Sequence, residues 1–219
     1  MVFIQVDEEL KNACPNLKLG LLQCSVVVEP TSEALLAEIQ KGIEELQANY
    51  KVENISQRSV IQASRKGYKA CGKDPARYRL AAEALLRRVV QGKGLYQINN
   101  VVDALNLVSI KTGYSIGGYN ADKINGKITL GIGKENEPYE GIGRGALNIA
   151  NLPVLRDEAG AFGTPTSDSL RTSISDEAST FLMVFYDFDG QGALNAALDL
   201  SVELLERHAG GGDFEVTIY

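Results

Sequence analysis

The chain has 219 residues, 44% of them hydrophobic and 23% charged, with three cysteines, one histidine and a net charge of −6. This composition excludes a disordered tail, a collagen and a coiled coil, and a chain of this length buries about 70% of its unfolded surface, so its core needs no disulfide or structural metal. One histidine excludes a histidine-cluster metal site, and an odd number of cysteines without a C-x-x-C pair fits a reducing compartment.

Residues 2–6 alternate and read as a strand. Residues 17–28 (LKLGLLQCSVVV) read as a second, with Gly20 expected to mark a bulge. Pro30-Thr31-Ser32-Glu33 opens a helix capped by Thr31 or Ser32, and Leu35, Leu36, Ile39, Ile43 and Leu46 follow at helical spacing. Asp74-Pro75 predicts another helix start, and AAEALLRRVV a stronger helical stretch that stops before Gly92. Asn99 or Asn100 caps the run VVDALNLVSIKTG, which ends at Gly113.

From Ser115 to Tyr186 glycines punctuate short apolar runs (KITLGIG, LPVLRD, STFLMVFYDF), the pattern of an antiparallel sheet. A last helix over residues 194–208 carries Leu194, Leu198, Val202 and Leu205 on one face, and residues 213–219 form a closing strand. Helices gathered in the first half and strands in the second predict an α+β fold. With no repeat and no linker, one unit over residues 1–219 is expected. The acidic start MVFIQVDEEL is no signal peptide and no run of 18 apolar residues occurs, so a cytoplasmic protein with no membrane partner is expected.

The net charge hides a division. Residues 58–93 hold ten basic side chains against Asp74 and Glu83, a net of +8, which leaves −14 for the rest. Such asymmetry favours an anionic ligand, and Tyr68, Tyr78 and Tyr96 interleave ring faces with the cations. Other motifs fall away. GYKACGKD (residues 67–74) ends on Asp74 where a phosphate loop needs a hydroxyl, and no buried strand precedes it. The glycine pairs around Ile132 and Ile142 lack the third glycine of a dinucleotide fingerprint and read as hairpin turns. His208 reads as a helix-terminal cation. Cys14, Cys24 and Cys71 read as buried small hydrophobes, with Cys71, between Lys69 and Lys73, a candidate for a lowered thiol pKa.

Four runs carry a resemblance: RKGYKACGKDPARYRLAAEALLRR (residues 65–88), INNVVDALNLVSI (98–110), GGYNADKINGKI (117–128) and SDSLRTSI (167–174). In this order they resemble the B three/four domain of the phenylalanyl-tRNA synthetase beta subunit, and above all the free-standing bacterial proteins built from it. The resemblance implies an α+β fold and a pocket that, in the synthetase, hydrolyses tyrosine wrongly esterified to the phenylalanine tRNA, a second sieve that one binding step cannot replace. Where the synthetase motif has a histidine after a proline-leucine pair, this chain has Gly117. The family's pocket glutamate, which follows a serine, corresponds to Asp168 after Ser167.

The expected activity is accordingly binding of aminoacyl-tRNA and hydrolysis of a misacylated one in trans. Asp168 would orient water or the substrate amine. Asn99, Asp103, Gly117, Gly118, Tyr119 and Ser167 would shape the pocket, and Arg65, Lys69, Lys73, Arg77, Arg79, Arg87 and Arg88 would receive the RNA backbone. Glycine-turn N–H groups would stabilise the oxyanion at about 3 kcal/mol per donor. No metal, cofactor or DNA is expected, and the chain has no room for the synthetase's catalytic module, so amino acid activation is not expected. The alternatives are a non-catalytic binding protein for an amino acid or small anionic metabolite, and a structural or regulatory partner of another synthetase.

Overall fold

In the computed structural model, which describes residues 2–219, the chain begins with β1 (Ile4–Val6), α1 (Glu8–Ala13) and β2 (Lys18–Ser25). Four helices follow: α2 (Glu33–Asn49), α3 (Ser59–Ala70), α4 (Ala81–Val90) and α5 (Asn100–Thr112). Then come β3 (Ile116–Asn120), β4 (Ile128–Ile132), β5 (Glu140–Gly141), β6 (Gly145–Ala146), β7 (Pro153–Asp157), β8 (Gly160–Gly163) and β9 (Thr180–Asp187). The chain closes with α6 (Leu194–Ala209) and β10 (Gly212–Ile218). The fold is α+β.

One four-stranded sheet is antiparallel throughout, in the order β10-β2-β9-β3, a second has the order β1-β4-β7-β8 with β1 and β4 parallel, and β5 and β6 form a two-stranded antiparallel sheet. β9 lies between two cores. Phe181, Met183 and Phe185 pack with the helices, while Leu182, Val184 and Tyr186 face the core shared with the second sheet. Side chains alternate across a strand, so a strand covered on both faces is apolar at every position. That explains the unbroken run TFLMVFY.

The helix termini follow their local chemistry. Ser32 Oγ accepts from the Leu35 N–H at 3.3 Å and Asn99 Oδ1 from the Val102 N–H at 2.9 Å, each satisfying a first-turn donor. Gly113 ends α5 at φ 86°, the left-handed conformation that glycine adopts without strain. The Arg58 guanidinium donates to the carbonyls of Ile110 and Lys111, placing a cation at the negative end of α5.

Two local expectations fail. Asp74-Pro75 opens a single turn, closed by the Tyr78 N–H on the Asp74 carbonyl at 3.0 Å, and the helix begins only at Ala81. Burial of Leu80 and the bond from the Ala81 N–H to the Pro165 carbonyl at 2.9 Å interrupt a continuous helix. Gly20 makes no bulge and pairs in register with Phe185. A Cβ there would press on Leu194 of α6 at 2.9 Å, so the glycine serves helix-on-sheet packing. Among the described residues no helix is long and apolar enough to cross a membrane.

Candidate functional site

A cavity of about 800 Å³ opens between α4, α5, β3, the β5–β6 hairpin and the segment after β8. Leu85, Val102, Leu105, Ile116 and Ile174 make much of its wall. A concave apolar cavity with a few convergent polar groups is the usual form of a ligand site. Ser167 and Asp168 supply such groups, and Arg88 of α4 and Arg144 of the hairpin line the same cavity.

Asp168 is held by backbone architecture. Thr164 Oγ1 accepts from the N–H groups of Thr166 and Ser167 at 3.2 and 3.0 Å, which folds the turn before it. Its carbonyl accepts from the Ile142 N–H at 2.9 Å and so ties down the hairpin. Carboxylate Oδ2 accepts from the Gly118 N–H at 3.1 Å, while Oδ1 is buried with no hydrogen-bond partner. Burial pushes its pKa up to about 7, against the Tyr119 hydroxyl and the Gly118 N–H, which favour the ionised form. The Tyr119 hydroxyl stands near enough to act electrostatically but outside hydrogen-bond geometry. A carboxylate that titrates near neutrality inside a cleft is suited to proton transfer.

Strand parity divides the expected glycine pair. Gly118 lines the cavity, whereas Gly117 faces the core behind β3. A Cβ at Gly117 or at Gly163 would collide with the hydroxyl of Tyr119, which is fully buried between them. The Tyr119 and Tyr186 hydroxyls are buried without hydrogen-bond partners on this side of the strand, whereas Tyr139 donates to the Ser167 carbonyl at 2.6 Å. Gly117 and Tyr119 therefore back the cavity floor and do not line it. Asn99 is the α5 cap, and buried Asp103 accepts from Thr31 Oγ1 at 2.6 Å and from the Ile98 N–H at 3.0 Å, fixing the cavity rim at Ile98.

The basic segment is distributed over several structural tasks. Arg65 and Arg87 meet buried Glu83 at 2.9 and 3.0 Å, and Arg79 approaches it at 4.0 Å, which joins α3 to α4. Lys73 is buried, donating to the Asn148 and Ala150 carbonyls and lying over the Tyr78 ring. Lys69 and Arg77 are exposed. His208 sits in the last turn of α6 with Nε2 3.0 Å from Glu38. Cys14 and Cys71 lie 4.0 Å apart, sulfur to sulfur, and that contact together with burial raises the Cys71 thiol pKa where the flanking lysines predicted a lowering. Among the described residues no group of three or more His, Cys, Asp or Glu could hold a metal ion.

Arg144 and Asn106 line the cavity but carry no motif of their own. The only signal for Arg144 is the glycine-rich tip GIGRG, which presents whatever side chain it contains to the hairpin's surroundings.

Residues 63–211 match the family model of the B3/4 domain. No curated protein matches the chain. A solved structure with a similar fold is an N-terminal fragment of the phenylalanyl-tRNA synthetase beta-subunit from Pyrococcus horikoshii, with a TM-score of 0.50 at 15% sequence identity. The match covers 97% of this chain and 50% of that fragment, so the chain spans about half the fragment's length.

Proposed function

Because this chain belongs to the B3/4 domain family and is a tRNA-synthetase-related domain, we propose that its 800 Å³ cavity receives the aminoacyl group of a misacylated tRNA and hydrolyses the ester in trans. The observation that carries the reading is Asp168, a carboxylate with one buried, unpartnered oxygen, set in the wall of an apolar cavity. An ionised Asp168 takes a proton from water as the water attacks the ester carbonyl. Collapse of the tetrahedral intermediate then breaks the ester C–O bond as Asp168 returns that proton to the leaving ribose oxygen. The tetrahedral oxyanion gains from the cations Arg88 and Arg144 in the same cavity, and the Gly118 N–H, already bonded to Asp168, plays no part in holding it. The apolar wall takes the amino acid side chain and keeps water away from the rest of the site. Exposed Lys69 and Arg77 contribute to RNA attraction, since Arg65 and Arg87 are held by Glu83.

The experiment is hydrolysis of a panel of misacylated tRNAs, with Asp168→Ala as control. Turnover of at least one tRNA that the substitution abolishes supports the reading. No turnover above background with any of them removes it.

One observation favours a second reading, binding without chemistry. By the resemblance the synthetase motif's histidine corresponds to Gly117, and the space a side chain there would need is filled by Tyr119. In that case an amino acid or a small anionic metabolite raises the melting temperature while every tRNA ester survives.

A further inference from the structure

The cavity rim exposes large apolar side chains. Tyr96, Ile98 and Ile142 line the cavity while 59%, 61% and 45% exposed. Scattered exposed hydrophobes need no explanation, but several gathered at one concave mouth mark a contact site. Tyr96 is moreover held in place. The Arg88 guanidinium carbon lies 3.9 Å from its ring centroid and Arg88 Nη1 donates to its hydroxyl at 3.1 Å. Arg88 belongs to the last turn of α4, so the ring is fixed from the protein side while much of it stays open to solvent.

A rigid aromatic ring stacked on a guanidinium, with ring surface free, is the chemistry that receives a nucleobase. The cavity offers more room than one amino acid fills, since volumes of about 300–1,000 Å³ accommodate drug-sized ligands. The wall and Asp168 account for an aminoacyl group, which leaves the rim for what the ester joins to it. Resting on the reading of the cavity as an aminoacyl site, we propose that the Tyr96–Arg88 shelf stacks the base of the nucleoside that carries the aminoacyl group. The shelf thereby selects a nucleoside ester over a free amino acid.

The test uses 3′-aminoacylamino-3′-deoxyadenosines, whose amide replaces the labile ester, beside the matching amino acid amides, with affinities measured by calorimetry. Base–aromatic stacking is worth roughly 5- to 150-fold in affinity by alanine substitution. The nucleoside conjugate is therefore expected to bind about tenfold or more tightly than the amide. Tyr96→Ala closes that gap, Tyr96→Phe keeps it, and neither substitution of this exposed residue shifts the melting temperature. If amides and conjugates bind equally, or if Tyr96→Ala leaves the gap intact, the shelf has no such role while the aminoacyl reading of the cavity stands. If neither class binds, that reading falls and the shelf with it.

Discussion

The Gly118 N–H donates to Oδ2 of Asp168 at 3.1 Å, fastening the carboxylate of a loop to the edge strand of the antiparallel sheet. The bond fixes one oxygen and leaves Oδ1 buried and unpartnered. An oxygen in that condition favours the neutral acid until a ligand or water compensates its charge.

Protein stability should record this. The folded-state pKa of Asp168 is raised to about 7, above the unfolded value of about 3.9. The folded chain therefore holds the proton more tightly, and the stabilisation present below about pH 4 is lost as pH rises through about 7. Asp168→Asn should flatten the melting temperature over that interval. Above pH 7 it should raise the melting temperature by a few degrees, on the order of 1 kcal/mol, and thermal denaturation across pH 4–8 checks both effects.

A histidine at position 117 should not be accommodated. Gly117→His drives a side chain into the Tyr119 hydroxyl, and overpacking a filled core costs about 1–3 kcal/mol. Denaturant titration should show that loss for the single variant. The double variant Gly117→His/Tyr119→Ala should gain nothing from relief of the clash beyond what the lost tyrosine costs.

Glu83 should matter more than its polar character suggests. It is fully buried against Arg65 and Arg87, and removing one partner of a buried ionic group costs about 3–5 kcal/mol. Glu83→Ala should lower the unfolding free energy from denaturant titration by that amount. An unfolding free energy within about 0.5 kcal/mol of the parent would show that the guanidiniums are satisfied by other groups.

The exposed cations are the place to test RNA attraction. Lys69→Ala and Arg77→Ala should each reduce the slope of log affinity against log salt by about one, with melting temperatures unchanged. A slope that stays the same in both variants assigns the RNA face elsewhere.

Much of this fold was legible in the sequence because its boundaries rest on local chemistry. Ser32, Asn99 and Gly113 act where cap rules place them. The break at Leu80 was hidden because it depends on Pro165, 84 positions or more along the chain. At the site, Ser167, Asp168, Gly118 and Arg88 meet in one cavity, whereas adjacent Gly117 faces the opposite way. A two-residue glycine pair states no parity until its strand is paired. The basic run was equally ambiguous, since Glu83 and Arg87 stand at i,i+4 but nothing local reveals that Glu83 is buried or that it also draws in Arg65.

The most direct measurement is the single-turnover deacylation rate of a susceptible misacylated tRNA between pH 5.5 and 8.5, for the parent chain and for Asp168→Asn. A positioned general base contributes about 10²–10⁴-fold. The parent rate should rise through an inflection near pH 7, and the variant should be slower by about 100-fold or more with no such inflection. An Asp168→Asn variant that hydrolyses the ester at the parent rate, with the same pH profile, would contradict the account.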